Sequence, residues 1–134
     1  MTDAALTAMA HQQMPFTAAL GLEIMRADDA GVEARAEWNA DRCTAGGVLH
    51  GGYLMALSDS VGAMCAFFRL PEGATTSTIE SKTNFFRAVT EGAVTVTSTP
   101  VHVGRAIVVV QTDVTRADGK LASRTTQTQA VIIP

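Results

Sequence analysis

The chain has 134 residues, 47% of them hydrophobic, and carries a formal net charge of −3. A chain of this length can bury a sizeable core, so we predict a single domain over residues 1–134. The acidic balance argues against a nucleic-acid partner, whose binding surfaces are usually basic. The mean hydropathy of +0.18 suggests that some apolar surface is buried between subunits.

The two cysteines, Cys43 and Cys65, do not form a disulfide framework. Cys65 lies in an apolar helical run, where we expect it to behave as a small buried hydrophobic residue. The N-terminal stretch lacks Lys, Arg and a long apolar segment, so it does not resemble a secretory signal. No run of 18 apolar residues predicts a membrane span. We therefore expect a cytoplasmic protein.

The chain begins with a predicted short helix that Thr2 or Asp3 caps and that runs to about Gln13. Pro15 ends this helix or begins a new turn. The pattern then becomes extended over residues 20–38, where VEARAEW alternates between apolar and charged residues like a half-buried strand.

A polar, glycine-containing loop is predicted over residues 39–47, and residues 52–70 then have the strongest helical pattern in the chain. Apolar side chains recur at helical spacing from Leu54 to Phe68. The opposite side carries mostly small and apolar residues too. We therefore expect this helix to be buried on all sides.

The rest of the chain predicts strands only, because it is rich in Val, Ile, Thr and Phe. These strands cover residues 78–88, 93–103, 106–116 and 121–133. Asp118-Gly119 is a strong hairpin turn, and sequential hairpins predict an antiparallel sheet. One buried helix and one curved antiparallel sheet indicate an α+β fold in which the sheet wraps the helix.

Asp59 is the unexpected residue of the predicted helix. Burying a carboxylate is costly unless it is paired, and no Lys or Arg lies three or four residues away. Small neighbouring residues would leave room for a pocket, in which Asp59 could serve as a general base or a nucleophile. The alternative is a structural aspartate bonded to backbone across an interface.

Gly51 and Gly52 stand where this helix begins, and unpaired N–H groups there could stabilise an oxyanion. The commoner use of such glycines is a tight loop. His50 could orient a carbonyl group or have a purely structural role. His11 and His102 have no carboxylate or cysteine at ligand spacing, so we predict no metal site.

The block GGVLHGGYLMALSDSVG resembles the hotdog-fold acyl-CoA thioesterases of the phenylacetate-degradation type, with His50 and Asp59 at the family's spacing. The resemblance extends through ESKTNFFRAV and VHVGR to the last hairpin. It implies an α+β hotdog fold, with one long central helix wrapped by a curved antiparallel sheet and preceded here by the short N-terminal helix. It also implies homodimers that pair into homotetramers.

The resemblance also implies roles for individual residues. Asp59 would activate water or attack the thioester, the Gly51 N–H of the partner subunit would hold the oxyanion, and His50 would support the carbonyl-binding loop. Gly52 would lie at the substrate. Coenzyme A would be part of the substrate, so no cofactor is expected. Thr44 stands where the family usually has Asn or Gln.

Three further residues are candidate substrate contacts. Ala63 stands where several relatives carry Ser or Thr, and Thr78 matches a hydroxyl that some relatives place near the attacking water. Arg105 is a candidate contact for the coenzyme A phosphates, although it could equally be a solvated turn residue.

The predicted function is hydrolysis of an aryl- or medium-chain acyl-CoA. Thr44 and Ala63 leave open a non-catalytic acyl-CoA-binding protein of the same fold. A hydratase or dehydratase ranks last, because the helix offers no histidine beside its acid.

Overall fold

One antiparallel sheet of six strands forms most of the protein, and its strand order is β1-β2-β4-β5-β6-β3. The computed structural model describes residues 1–134. The helices are α1 (Ala4–Gln13), α2 (Pro15–Ala19) and α3 (Gly51–Phe67), and the strands are β1 (Glu23–Asp28), β2 (Gly31–Glu37), β3 (Thr75–Phe85), β4 (Ala93–Val103), β5 (Ile107–Thr115) and β6 (Leu121–Ile132). No helix is both long and apolar enough to span a membrane.

Helix α3 packs across the curved sheet and contacts five of its strands. Its sheet-facing side buries Leu54, Leu57, Val61 and Cys65, which join the apolar side chains of the central strands in one core. The short helix α1 precedes the sheet, and the Asp3 carboxylate caps it by accepting from the Leu6 N–H at 2.9 Å. The predicted α+β hotdog fold is confirmed.

The expectation of sequential hairpins is wrong at one connection. β3 does not pair with β4 but lies at the sheet edge beside β6. The segment between β3 and β4 therefore passes from the edge of the sheet to the far side of β5. It is attached to the loop before α3, since the Leu49 N–H donates to the Val89 oxygen at 2.9 Å. Near the end of the same segment, just before β4, the Gly92 oxygen accepts from the Trp38 N–H, also at 2.9 Å.

The extended region over residues 20–38 is a hairpin made of β1 and β2. The Asp28 carboxylate forms its turn by accepting from the N–H groups of Ala30 and Gly31. The hydrogen bond from Ala30 is the main reason that the pKa of Asp28 lies below its ordinary value. Strand β2 buries alternate residues, as the pattern VEARAEW predicts.

Helix α3 is not buried on all sides, contrary to the expectation from its composition. A stripe of exposed residues runs along the face turned away from the sheet, and it contains Gly52, Met55, Asp59 and Phe67. The reason is geometric, because one sheet can cover only one side of a helix. In the single chain this apolar stripe, interrupted by one carboxylate, remains open to solvent.

The buried face of the sheet beneath α3 is partly polar. Completely or almost completely buried hydroxyl and amide side chains lie there among the valines: Ser98, Thr112, Ser123, Thr125, Gln127 and Gln129. Buried polar groups are costly unless they form hydrogen bonds with one another. This polar area therefore indicates that the core beneath α3 has a role besides packing.

Leu57 tests the packing of α3 on the sheet. Because its side chain is fully buried, Leu57→Ala should lower the free energy of unfolding by about 2–5 kcal/mol, measured by urea denaturation. Val101 is 62% exposed, so Val101→Ala should stay within about 0.5 kcal/mol of the wild type. Equal effects of the two substitutions would contradict this placement of α3.

Candidate active site

The loop before α3 is fixed by hydrogen bonds to its own backbone. The Trp38 indole N–H donates to the Gly47 oxygen at 3.0 Å, and the His50 N–H donates to the Arg42 oxygen at 2.9 Å. Gly46 and Gly47 have φ angles of 78° and 72°, which only glycine adopts readily. The glycines thus let the loop turn tightly and deliver His50 to the start of the helix.

His50 is the N-cap residue of α3. Its Nδ1 accepts a hydrogen bond from the Gly52 N–H at 2.8 Å, in the way that Ser or Asp caps other helices. Nδ1 is therefore an acceptor, and a neutral His50 carries its proton on Nε2. The structure thus gives His50 a definite local role in ordering the loop and helix start.

The two glycines at the start of α3 differ in their free hydrogen-bonding capacity. The Gly52 N–H is already occupied by His50, whereas the Gly51 N–H donates no hydrogen bond within the chain. Gly51 lies at the positive end of the helix dipole, where an anionic oxygen is stabilised. Gly51 is thus the better placed of the two to donate to a substrate oxygen.

Tyr53 anchors the first turn of α3. Its hydroxyl donates to the Leu20 oxygen at 2.6 Å, and the Arg42 guanidinium lies 5.3 Å from its ring centroid. Burial raises the pKa of the Tyr53 phenol, so it remains a neutral donor. The helix start is therefore held from both the loop and the N-terminal region.

Thr44 and Gly51 line the same cavity of about 370 Å³. The Thr44 side chain is exposed and makes no hydrogen bond, so its hydroxyl is free. Aromatic and apolar side chains from the end of β3 form much of the opposite wall, including Phe85, whose ring lies against Gly51. The structure thus brings together Thr44, His50 and Gly51, and we call these three residues the loop half-site.

Asp59 lies two turns further along α3, and its carboxylate is exposed rather than buried in the single chain. The prediction of a buried acid is therefore wrong for one chain alone, because Asp59 belongs to the uncovered stripe of the helix. It forms no salt bridge. Instead its Oδ1 accepts from Gln127 Nε2 at 2.7 Å and from Thr78 Oγ1 at 3.1 Å, while Oδ2 accepts no hydrogen bond.

A β-bulge in β3 aims Thr78 at Asp59. Thr78 pairs with Gln129 and Glu80 with Thr128, so Ile79 is an extra residue in the strand. Bulges are common beside active sites because they re-aim a neighbouring side chain. Thr78 is thereby directed toward the helix, and Ile79 is left 61% exposed.

Gln127 and Gln129 complete this second group, which sequence reasoning missed. Gln129 Oε1 accepts from Thr78 Oγ1 at 2.6 Å and from Gln127 Nε2 at 2.8 Å, and Gln129 Nε2 donates to Thr76 Oγ1 at 3.2 Å. We call Asp59, Thr78, Gln127 and Gln129 the carboxylate half-site. The sequence pattern that could have indicated this group is in the last strand, where every second residue from Ser123 to Gln129 is polar and faces inward.

An apolar groove of about 470 Å³ begins next to the carboxylate half-site. Ala63, one turn after Asp59, and Thr76, which contacts Gln129, lie on its wall. The rest of the lining is mainly apolar and comes from α1 and the C-terminal part of α3, including Met9, Met14, Met64 and Phe67. The lack of a hydroxyl at Ala63 keeps this wall apolar.

The two half-sites of one chain are too far apart to serve one thioester group. Asp59 lies eight positions after Gly51, which corresponds to about 12 Å along a helix axis. A reacting carbonyl needs its oxyanion donor and its catalytic group each at about 3 Å. Gly51 and Asp59 of the same chain therefore lie too far apart to contact one carbonyl group together.

Arg105 lies apart from both half-sites, at the exposed tip of the β4–β5 hairpin, and makes no hydrogen bond. Val103, two residues before Arg105, lies in the same row of the sheet as Thr78, with β6 and β5 between their strands. Three strand spacings separate the two residues, which is about 14 Å.

No three His, Cys, Asp or Glu side chains are grouped in a way that could hold a metal ion.

Comparison with known proteins decides the family. The model of the thioesterase superfamily matches residues 46–123, which contain both half-sites apart from Thr44, Gln127 and Gln129. A predicted esterase of Haemophilus influenzae is 34% identical over 113 residues, which cover 84% of this chain and 82% of the relative. The chain belongs to the thioesterase superfamily.

Other members of the superfamily agree with this assignment. A proofreading thioesterase of Cronobacter turicensis is 31% identical over 64% of this chain and 63% of the relative. The crystal structure of a thioesterase from Haemophilus influenzae superposes with a TM-score of 0.88 at 30% identity, covering 96% of this chain and 88% of that one. A phenylacetic acid degradation-related protein of Ralstonia eutropha, a predicted thioesterase, gives a TM-score of 0.83 at 26% identity, with 92% and 96% covered.

These matches identify the protein as a thioester hydrolase with the hotdog fold. The match to the superfamily model begins in the loop before α3 and includes the whole of that helix.

The contribution of the His50 cap to the stability of this thioesterase can be measured with two substitutions. His50→Ala removes the acceptor for the Gly52 N–H and should lower the free energy of unfolding by about 1 kcal/mol in urea denaturation. His50→Asn keeps a capping oxygen and should remain within a few tenths of a kcal/mol of the wild type. Unchanged stability of His50→Ala would show that the cap contributes nothing.

Proposed function

We propose that the protein hydrolyses the thioester of an aryl- or medium-chain acyl-CoA, with Asp59 as general base or nucleophile. The observation that carries this proposal is the state of the Asp59 carboxylate. Neutral donors hold Oδ1, no cation neutralises the charge, and Oδ2 is free. A carboxylate that is oriented but not paired can accept a proton or attack a carbonyl carbon.

In the general-base route, Asp59 Oδ2 takes a proton from water as the water oxygen attacks the thioester carbon. The carbonyl oxygen becomes an oxyanion, and collapse of the intermediate breaks the C–S bond. The products are a free acid and coenzyme A thiolate, and Asp59 passes its proton to that thiolate or to solvent, which restores the carboxylate. If its thiol resembles that of cysteine, with a pKa of about 8.5, the thiolate leaves without a strong general acid. No cofactor is required.

The oxyanion would be held by the Gly51 N–H of a partner subunit, because the Gly51 of the same chain lies too far from Asp59. Two surfaces favour such a homodimer. The edge strand β3 is 11 residues long, with exposed Ile79 and Phe85 side chains, and an unpaired edge of this kind is a template for pairing with another chain. The exposed stripe of α3 adjoins it. Dimers would pair further into homotetramers.

The acyl group would occupy the groove between α1 and α3, which starts beside Asp59 and falls within the usual size range of ligand pockets. Ala63 would contact its first carbons. Thr44, with its free hydroxyl in the same cavity as Gly51, would assist at the carbonyl, and Gly52 would lie beside it. Arg105 would bind the coenzyme A phosphates, which arginine recognises through charge-assisted hydrogen bonds. We expect the reaction to take place in the cytoplasm.

The activity is tested with a panel of short-chain, medium-chain and aryl acyl-CoAs, following the release of free thiol. Asp59→Asn should lose about 100- to 10,000-fold in kcat, since it removes the proposed base or nucleophile. Asp29→Asn removes an exposed carboxylate in the β1–β2 turn, which contacts the chain at Arg69, ten positions after Asp59, and it should behave as the wild type. Tight acyl-CoA binding without any thiol release from the wild type would instead indicate a non-catalytic binding protein.

Subunit complementation tests whether the site lies between chains. Gly51→Pro removes the proposed donor at the first helical position, where proline is tolerated, and the extended conformation of His50 suits a following proline. Gly51→Ala retains the N–H and is the matched control. Each of Gly51→Pro and Asp59→Asn should be inactive alone.

Mixed subunits of Gly51→Pro and Asp59→Asn should regain activity after unfolding and joint refolding. In a twofold-symmetric dimer each hybrid has one intact site, so random mixing should restore about a quarter of the wild-type rate. A site within one chain would give no recovery, because neither variant then contains an intact site.

A further inference from the structure

We propose that Gln127 is a positioning residue that sets the orientation of the Asp59 carboxylate, and that Gly62 provides the space for its side chain. The inference rests on the proposed function, in which Asp59 is the reacting group. Gln127 Nε2 makes the shortest hydrogen bond to Asp59, at 2.7 Å. Its side chain is fully buried, so it touches neither solvent nor an incoming substrate directly.

The orientation of the Gln127 amide is dictated by its neighbours. Its NH₂ group faces three acceptors, Asp59 Oδ1, Gln129 Oε1 and Thr78 Oγ1. The reversed amide would place a carbonyl oxygen against a carboxylate oxygen, which is repulsive. Gln129 is itself oriented, since its Nε2 donates to Thr76 Oγ1 and Thr76 donates to the Ala130 oxygen.

The other end of the amide makes no hydrogen bond. Gln127 Oε1 is buried without a partner. It lies against Gly62, where an added Cβ would be only 2.4 Å from this oxygen. An unpaired buried acceptor is destabilising, so its presence is not explained by stability. It is explained if the NH₂ end of the same amide is needed at Asp59.

Thr78 cannot perform this task alone. Its hydroxyl has one proton and two acceptors, Gln129 Oε1 at 2.6 Å and Asp59 Oδ1 at 3.1 Å. Gln127 has two protons and can satisfy Asp59 and Gln129 together. It also projects from the middle of β6, which is hydrogen-bonded on both sides by β3 and β5. A donor on such a rigid element holds the carboxylate more precisely than a mobile side chain does.

The two oxygens of the Asp59 carboxylate therefore have different roles: Oδ1 is held by hydrogen bonds, and Oδ2 is free to react. Gln127 Nε2 donates to Oδ1, and the Thr78 hydroxyl lies within hydrogen-bond distance of the same oxygen, which fixes the rotation of the carboxylate and leaves Oδ2 directed away from the network. A lysine or arginine in place of Gln127 would neutralise the charge that the reaction needs. A neutral amide orients the carboxylate without forming an ion pair.

Gln127→Met tests the inference, because methionine has a similar length and no donor. We expect kcat to fall about 10- to 100-fold while KM stays within about twofold, since only the reacting group is displaced. Gln111 lies on the other face of the sheet and makes no side-chain hydrogen bond, so Gln111→Leu is a control that should keep the wild-type kcat. Wild-type kcat in folded Gln127→Met, or a loss confined to KM, would overturn the inference.

Gly62→Ala provides an independent variant, since its methyl group must displace the Gln127 amide. Its kcat should fall, and the double variant Gly62→Ala/Gln127→Met should be no slower than Gln127→Met alone. If the two losses instead multiply, Gly62 acts separately from Gln127 and its assigned role is wrong.

A spectroscopic measurement separates this inference from the proposed function. The side-chain NH₂ signals of Gln127, assigned by their loss in Gln127→Met, should shift in the ¹⁵N–¹H spectrum of Asp59→Asn, whereas those of Gln111 should not. Unchanged Gln127 signals would overturn the inference whatever the enzyme hydrolyses. If the wild type releases no thiol from any acyl-CoA, the proposed function fails, and these signals alone decide whether Gln127 holds Asp59.

Discussion

The helix α3 carries both the free Gly51 N–H and the Asp59 carboxylate, and their separation on that one rigid element is the constraint on which the rest depends. About 12 Å of helix lies between the two groups, so no folding of the single chain can bring them to one carbonyl. The chain therefore presents two different half-sites at different points of α3. Each half-site has its own local hydrogen bonds and keeps free groups besides, the Gly51 N–H in one and Asp59 Oδ2 in the other.

The carboxylate half-site explains why the core beneath α3 is polar. A carboxylate on a helix that packs against a sheet needs donors, and here those donors come from strands beneath it rather than from the helix itself. Buried glutamines cost free energy, and the unpaired oxygen of Gln127 adds to that cost. Such a departure from an apolar core is typical of a functional site.

The same constraint accounts for the surfaces that remain uncovered. The edge strand β3 and the exposed stripe of α3 both border Asp59, and both carry apolar side chains that a single chain leaves in contact with water. Surfaces of this kind are typical of protein interfaces. The proposed homodimer would cover these surfaces and complete the proposed site at the same time.

Local pattern alone predicted α1, α3, the strands from β3 onward and the spacing of His50, Gly51 and Asp59, because capping and periodicity act over a few residues. It did not predict α2, and it indicated only one extended region where β1 and β2 form a hairpin. Only the tertiary structure decided that β3 lies beside β6, that Asp59 is exposed, and that Gln127 is its partner. Gln127 is 68 residues away from Asp59 along the chain. Which strands become neighbours depends on the packing of the whole sheet around α3, and no short segment contains that information.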